Sequence, residues 1–194
     1  MARSREQPAA MAARRTTLER APIAFADLPV RIFRLWDEQW FLLTAGDFRE
    51  RRFNTMTVSW GSLGILWNKP FAQVVVRPTR HTHSFMERYD TFTLCAFSAE
   101  HRPALELLGS RSGRDGDKIA QSGLTPIASS RVPAPGFAEA ELIIECRKIY
   151  WDDLEPSRFL DPGIEANYPQ KDYHRIYFGE LLAIFGAEEY RARA

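Results

Sequence analysis

The chain is poor in cysteine: two in 194 residues, Cys95 and Cys146. Both lie in apolar, strand-like runs, which reads as buried reduced thiols rather than a disulfide and suits a reducing cytoplasm. Histidine is also scarce. His81, His83, His101 and His174 are the full set, and no cysteine or carboxylate cluster completes a metal site around them. Charge of one sign is lacking as well. A net charge of +1 argues against nucleic acid or an anionic membrane as the partner, so any anion site must be local. No apolar run approaches the roughly 20 residues of a membrane-spanning helix. The sequence has no GxxxxGK[ST] phosphate loop, no GxGxxG dinucleotide fingerprint, no GxSxG elbow, no Cys/His nucleophile signature and no EF-hand spacing.

The length suits one domain with a real core. Residues 1–22 carry Arg3, Arg5, Arg14, Arg15 and Arg20 against Glu6 and Glu19, with much alanine and no apolar signal core. They read as a disordered tail, with a transit peptide as the alternative and Met11 as a possible second start. The folded domain is then 23–194.

Along that domain, the spacing of Leu28, Ile32, Leu35 and Trp36 predicts a short helix with Asp27 as its cap. Residues 40–47 read as a buried strand. From 53 the pattern alternates: Phe53, Thr55, Thr57 and Ser59 share one face, and Asn54, Met56, Val58 and Trp60 the other. Gly61 and Gly64 interrupt it, as glycine does at a bulge or a close backbone approach. Strands follow at 71–77 and 91–97. Between them lies a helix over 80–90, with Thr79 or Thr82 as its cap. A helix over 98–109 starts from Ser98, carries Pro103 in its first turn, and has Leu105 and Leu108 on its apolar side. Further strands are expected at 126–131 and 138–151, an irregular excursion at 152–171, and a last strand at 173–185 bent at Gly179. Strands that do not alternate with long helices indicate a mainly β, antiparallel barrel with short inserted helices, not a doubly wound sheet.

Three segments could carry chemistry. In "VVVRPTRHT" (74–82), Arg77 and Arg80 flank Pro78-Thr79, with Thr82 following. Guanidinium groups and a helix N-terminus together suit a phosphate, and the alternative is a solvated turn. In the strand at 53–60, the row Thr55, Thr57, Ser59 is either a wet outer face or the floor of a polar site. In "SGRDGDK" (112–118), Ser112, Gly113 and Lys118 offer donors, or the loop is an Asp-Gly turn capping a helix.

Taken together, "NTMTVSWGSLGILWNKP" (54–70), "VVVRPTRHT" (74–82), "FTLCAF" (92–97), "SGRDGDK" (112–118) and "DYHRIYFGELLAIF" (172–185) resemble, in this order, the flavin reductase-like FMN-binding proteins, and within them the flavoredoxin-like branch. The likeness runs over about 28–185. It implies a split β-barrel with Greek-key connections, a homodimer, and FMN held close to the subunit interface. Carried onto this chain, Arg77, Thr79, Arg80 and Thr82 would hold the FMN phosphate with Lys118 nearby. Asn54, Met56, Thr57, Ser59 and Trp60 would line the ribityl chain and ring, and Ser98 would also reach the ligand. His174 would face the open side of the flavin as the candidate catalytic group. The implied activity is hydride transfer from NADH or NADPH to FMN, with electrons passed to an oxygenase or another acceptor. The alternative is a non-catalytic FMN-binding electron carrier reduced by a protein partner. Flavin brings its own redox chemistry, so no acid–base triad is needed.

Overall fold

The computed structural model describes residues 18–191. Most of the expected tail, residues 1–17 with Met11, lies outside the described residues. Anchoring begins before the expected boundary at 22. Arg20 donates to the carbonyls of Ala138 and Ala140 at 2.9 and 2.8 Å, and a two-residue strand, β1 (Ala21–Pro22), pairs with the end of the last strand.

The elements that follow are a single helical turn α1 (Ile32–Arg34), β2 (Phe41–Asp47), β3 (Arg52–Val58), β4 (Gly61–Leu66), β5 (Lys69–Val76), α2 (His81–Arg88) and β6 (Thr91–Ala96). Then come α3 (Arg102–Ser110), α4 (Lys118–Ser122), the short β7 (Pro126–Ile127) and β8 (Gly136–Phe137), and the long β9 (Leu142–Asp153) and β10 (Arg175–Gly186). The main sheet runs β3-β2-β6-β9-β10-β5-β4, with every pairing antiparallel. β3 and β4 follow one another in the chain but do not pair, so the barrel is split between them. This gap positions the candidate site.

Two apolar clusters explain the strand patterns. Phe41, Leu43, Met56, Val58, Val74, Phe92, Leu94 and Tyr177 fill the barrel interior. Leu42, Cys95, Phe97 and Ile143 point the other way and are covered by Leu105 and Leu108 of α3 and by Phe137. β2 is therefore buried on both faces, and its sequence is a continuous apolar run rather than an alternating one. Full burial of each such side chain contributes roughly 1.5–3 kcal/mol. Both cysteines are buried free thiols, and burial pushes the Cys95 thiol up to about 12. Gly61 lies where a Cβ would come within 2.4 Å of the Gln73 carbonyl and of the Trp36 ring, so it permits close packing at the start of β4 rather than forming a bulge. The β4–β5 hairpin turns on Trp67 and Asn68, both at positive φ (51° and 57°), as a two-residue turn with right-handed strand twist requires.

Several local expectations are revised. The first helical segment is broken into a 3₁₀ turn (Phe25–Asp27), α1 and a π-helical turn (Leu35–Gln39), and no side chain caps it. Neither Thr79 nor Thr82 caps α2, because each is engaged elsewhere, and Ser98 bonds Glu100 instead of capping the helix after it. The strand expected over 126–131 is confined to β7, and residues 138–141 turn between β8 and β9. The excursion after Asp153 contains only 3₁₀ turns at Pro156–Arg158 and Pro162–Asn167. β10 shifts register at Phe178/Gly179, as expected.

Candidate functional site

Two hollows open along the unpaired side of β3 and share Met56 and Arg80. One, of about 190 Å³, is lined by the end of β3 and the crossing residues Ser59 and Trp60. Val75, Arg77, Arg80 and His174 complete it. The other, of about 140 Å³, lies between Asn54 of β3, the turn Thr79–Thr82 and the loop from Ser110 to Lys118.

The second hollow is built for an anion. Arg80, Arg111, Arg114, Lys118 and His81 line it, together with Thr79, Thr82 and Ser112, and no carboxylate does. Arg80 donates to the Gly109 carbonyl at 2.7 Å. Burial, with the charge of Arg77 added, holds its guanidinium below its ordinary value. Lys118 is 5% exposed and donates to the carbonyls of Leu108 and Arg111, at 2.7 and 3.0 Å, at the C-terminal end of α3. Burial and then Arg80 depress its pKa to about 8. His81 is also lowered by burial, then by Arg114 and Lys118, and its buried Nδ1 has no hydrogen-bond partner among the described residues. The positive forms of three neighbouring groups are thus disfavoured, a strain that a bound anion relieves. No side chain caps the first turn of α2, which leaves its leading amides available to the same ligand. Gly113 lets the loop close on β3: a Cβ there would stand 2.2 Å from Asn54 Oδ1. Asn54 in turn donates to Thr82 Oγ1 at 2.7 Å.

Arg77 behaves differently. It donates to Asp172 at 2.6 Å and to the Asn167 carbonyl at 2.7 Å, and its guanidinium lies 4.9 Å above the Tyr168 ring. Thr79 also reaches Asp172, at 3.3 Å. Arg77 therefore clasps the 154–174 excursion against the barrel, and its charge is already matched.

His174 is 8% exposed, with Nδ1 2.8 Å from the Tyr168 hydroxyl and its ring 5.4 Å from that of Trp60. Burial, then Arg77 and Arg80 acting against Asp172, lowers its pKa to about 4, so the imidazole is neutral at pH 7.

Of the twelve residues that the resemblance places at the site, eleven line these two hollows: Asn54, Met56, Thr57, Ser59, Trp60, Arg77, Thr79, Arg80, Thr82, Lys118 and His174. Ser98 does not. It lines a separate cleft of about 650 Å³ beside Val30, Arg34 and Arg102. The hydroxyl row splits between the core and the cleft. Thr55 is buried against Thr44 and the Leu43 carbonyl, whereas Thr57, although it donates to the Leu105 carbonyl beneath α3, lines the cleft together with Ser59. Missed from the sequence were Tyr168, inside an excursion with no periodicity, and Asp172 at the start of the last motif, to which no role was given. His81, for which the sequence offers no role as a metal ligand, lines the cationic hollow. No group of three or more metal-ligating side chains occurs among the described residues.

A family model described as a flavin reductase like domain matches residues 37–189. An uncharacterized protein of Pyrococcus abyssi is 27% identical over 158 residues, covering 80% of this chain and 77% of that one. Among solved structures, an FMN-binding domain of a flavin reductases-like enzyme from Shewanella baltica aligns with a TM-score of 0.64 at 17% identity, over 88% of this chain and 78% of that one. Flavoredoxin of Desulfovibrio vulgaris aligns with a TM-score of 0.60 at 23% identity, over 94% and 78%. At these identities the structural likeness establishes the fold.

Proposed function

The chain belongs to the flavin reductase-like family, and from that premise we propose that it is an FMN-dependent oxidoreductase that takes a hydride from NADH or NADPH and passes electrons onward. The observation that carries the reading is the carboxylate-free cationic hollow adjoining the cleft at the open edge of β3. Arg80 and Lys118, with the leading amides of α2, would hold the phosphate. Ser59, Trp60 and the unpaired edge of β3 would hold the ribityl chain and the ring. Once bound, FMN supplies the redox chemistry, accepting a hydride and releasing electrons in pairs or singly. The protein binds, orients and tunes. His174, neutral and buried, offers no imidazolium to that chemistry at pH 7.

A second copy of the chain fits the same reading. Ile65, Trp67 and Tyr150 are all about half exposed or more, and Trp67 packs on Tyr150 at 5.9 Å. A symmetric partner would cover these exposed apolar side chains around the β4–β5 hairpin and the end of β9. A monomer by light scattering at micromolar concentration overturns that part.

The purified protein is expected to be yellow or to take up added FMN, and to bleach when mixed anaerobically with NADH or NADPH. A preparation that binds no FMN overturns the reading. Bound FMN that neither nicotinamide reduces makes the chain a carrier reduced by a protein partner.

A further inference from the structure

The excursion before β10 carries a residue that the flavin reading leaves unused. Tyr168 is 3% exposed, and its hydroxyl lies 2.8 Å from Nδ1 of His174. We propose that Tyr168 is a positioning residue: it donates to Nδ1, fixes the proton of the neutral imidazole on Nε2, and so presents His174 to the cleft as a hydrogen-bond donor for a carbonyl-type oxygen. This rests on the cleft holding the ring-bearing ligand proposed above.

Counting hydrogens decides the direction of the bond. If His174 donated from Nδ1, the hydroxyl hydrogen of Tyr168 would be buried with no acceptor among the described residues, which folded proteins avoid. If Tyr168 donates, its hydrogen is used. The one remaining N–H, on Nε2, has no partner among the described residues and belongs to a side chain that lines the cleft.

The surroundings hold this arrangement in place. Tyr168 is sandwiched between the Arg77 guanidinium, 4.9 Å from its ring, and Phe159, stacked at 6.1 Å, with Tyr173 at 4.9 Å. The Leu154 amide donates to the His174 carbonyl at 3.0 Å, and Trp60 flanks the imidazole. The charged groups facing the ring are Arg77 and Arg80 from the β5–α2 corner and Asp172 from the excursion. Asp172 is already engaged by Arg77 and Thr79. Burial first, and then two cations against one occupied carboxylate, keep the imidazole neutral, in line with its pKa near 4. A neutral donor of this kind strengthens its bond as the oxygen gains negative charge and transfers no proton.

The test is nitrogen NMR of the full chain with ¹⁵N-labelled histidine, read with and without FMN, with the His174 signals assigned from a His174→Gln spectrum. We expect the Nε2–H tautomer, unchanged from pH 5.5 to 8.5. Tyr168→Phe keeps the ring and loses the hydroxyl, and should shift His174 towards a mixture of tautomers. It should also slow flavin reduction severalfold with FMN affinity unchanged. An Nδ1–H tautomer in the native chain, titration near pH 6.5, or a tautomer indifferent to Tyr168→Phe overturns the proposal. The tautomer is read without FMN, so failure of FMN binding would sink the flavin reading separately.

Discussion

Arg77 and Arg80 stand three residues apart at one corner, yet they serve two different regions. Arg77 faces the 154–174 excursion, where Asp172 and the Asn167 carbonyl satisfy it at 2.6 and 2.7 Å. Arg80 faces the loop after α3, where the only partner of its guanidinium among the described residues is the Gly109 carbonyl and its charged neighbours are other cations. The clasp is electrostatically complete; the hollow is not. An arginine with its carboxylate in place stabilises the fold, whereas one among uncompensated cations is held ready for a ligand.

The sharpest way to break this contrast is Arg80→Ala. Losing a charge-assisted bond worth about 1.5–3 kcal/mol should weaken FMN binding by roughly 10- to 100-fold. Thermal stability should hardly change. Unaltered affinity in a flavin titration would place the phosphate elsewhere.

Arg77→Ala should do the reverse. It strands Asp172 and the Asn167 carbonyl at a partly buried contact and should cost about 1–2 kcal/mol of stability. The change would be read as a lower denaturation midpoint, with FMN affinity falling less than for Arg80→Ala. A larger loss of affinity than of stability would return Arg77 to the phosphate.

Lys118 gives a pH signature. Its pKa is near 8 in the free protein, and a bound phosphate would raise it, so FMN binds with proton uptake above pH 8. Affinity should therefore fall as pH rises, by about tenfold at pH 9 relative to pH 7. Lys118→Met should flatten that profile, and a native profile already flat over this range would remove Lys118 from the site. Linkage acts on stability in the opposite sense. The unfolded chain holds the Lys118 proton up to its ordinary value of 10.5, so the fold of the free protein gains stability between pH 8 and 10.5.

The smallest effect is expected at the rim. Arg111 and Arg114 are exposed at the mouth of the hollow, and charges in that setting contribute about 0.2–1 kcal/mol. Arg111→Ala should change FMN affinity by no more than a few-fold, and added salt should erase the difference.

Much of this was legible in the sequence because it is local. The succession of strands, the apolar side of α3 and the burial of both cysteines follow from side-chain periodicity. The corner at 77–82 and the loop at 112–118 stood out because hydrogen-bond donors cluster there. The hydroxyl row was legible only in part, since Thr57 and Ser59 line the cleft but Thr55 does not. Thr57 finds its acceptor at Leu105, 48 residues on, and nothing near Thr57 signals it. Ser98 follows a strand, as a ligand residue might, but the chain then turns away into a different cleft.

The sequence by itself determined a β-rich domain without a nucleotide fingerprint and with an anion site confined to a few short segments. Alternation and glycine placement act over two to ten residues and need no knowledge of the fold. Only the tertiary structure decided which arginine is paired, since Asp172 lies 95 residues from Arg77 and reaches it through β10 pairing with β5. It also decided that His174 is neutral and held by Tyr168, because burial and the field of Arg77 and Arg80 exist only once the excursion is folded against the barrel.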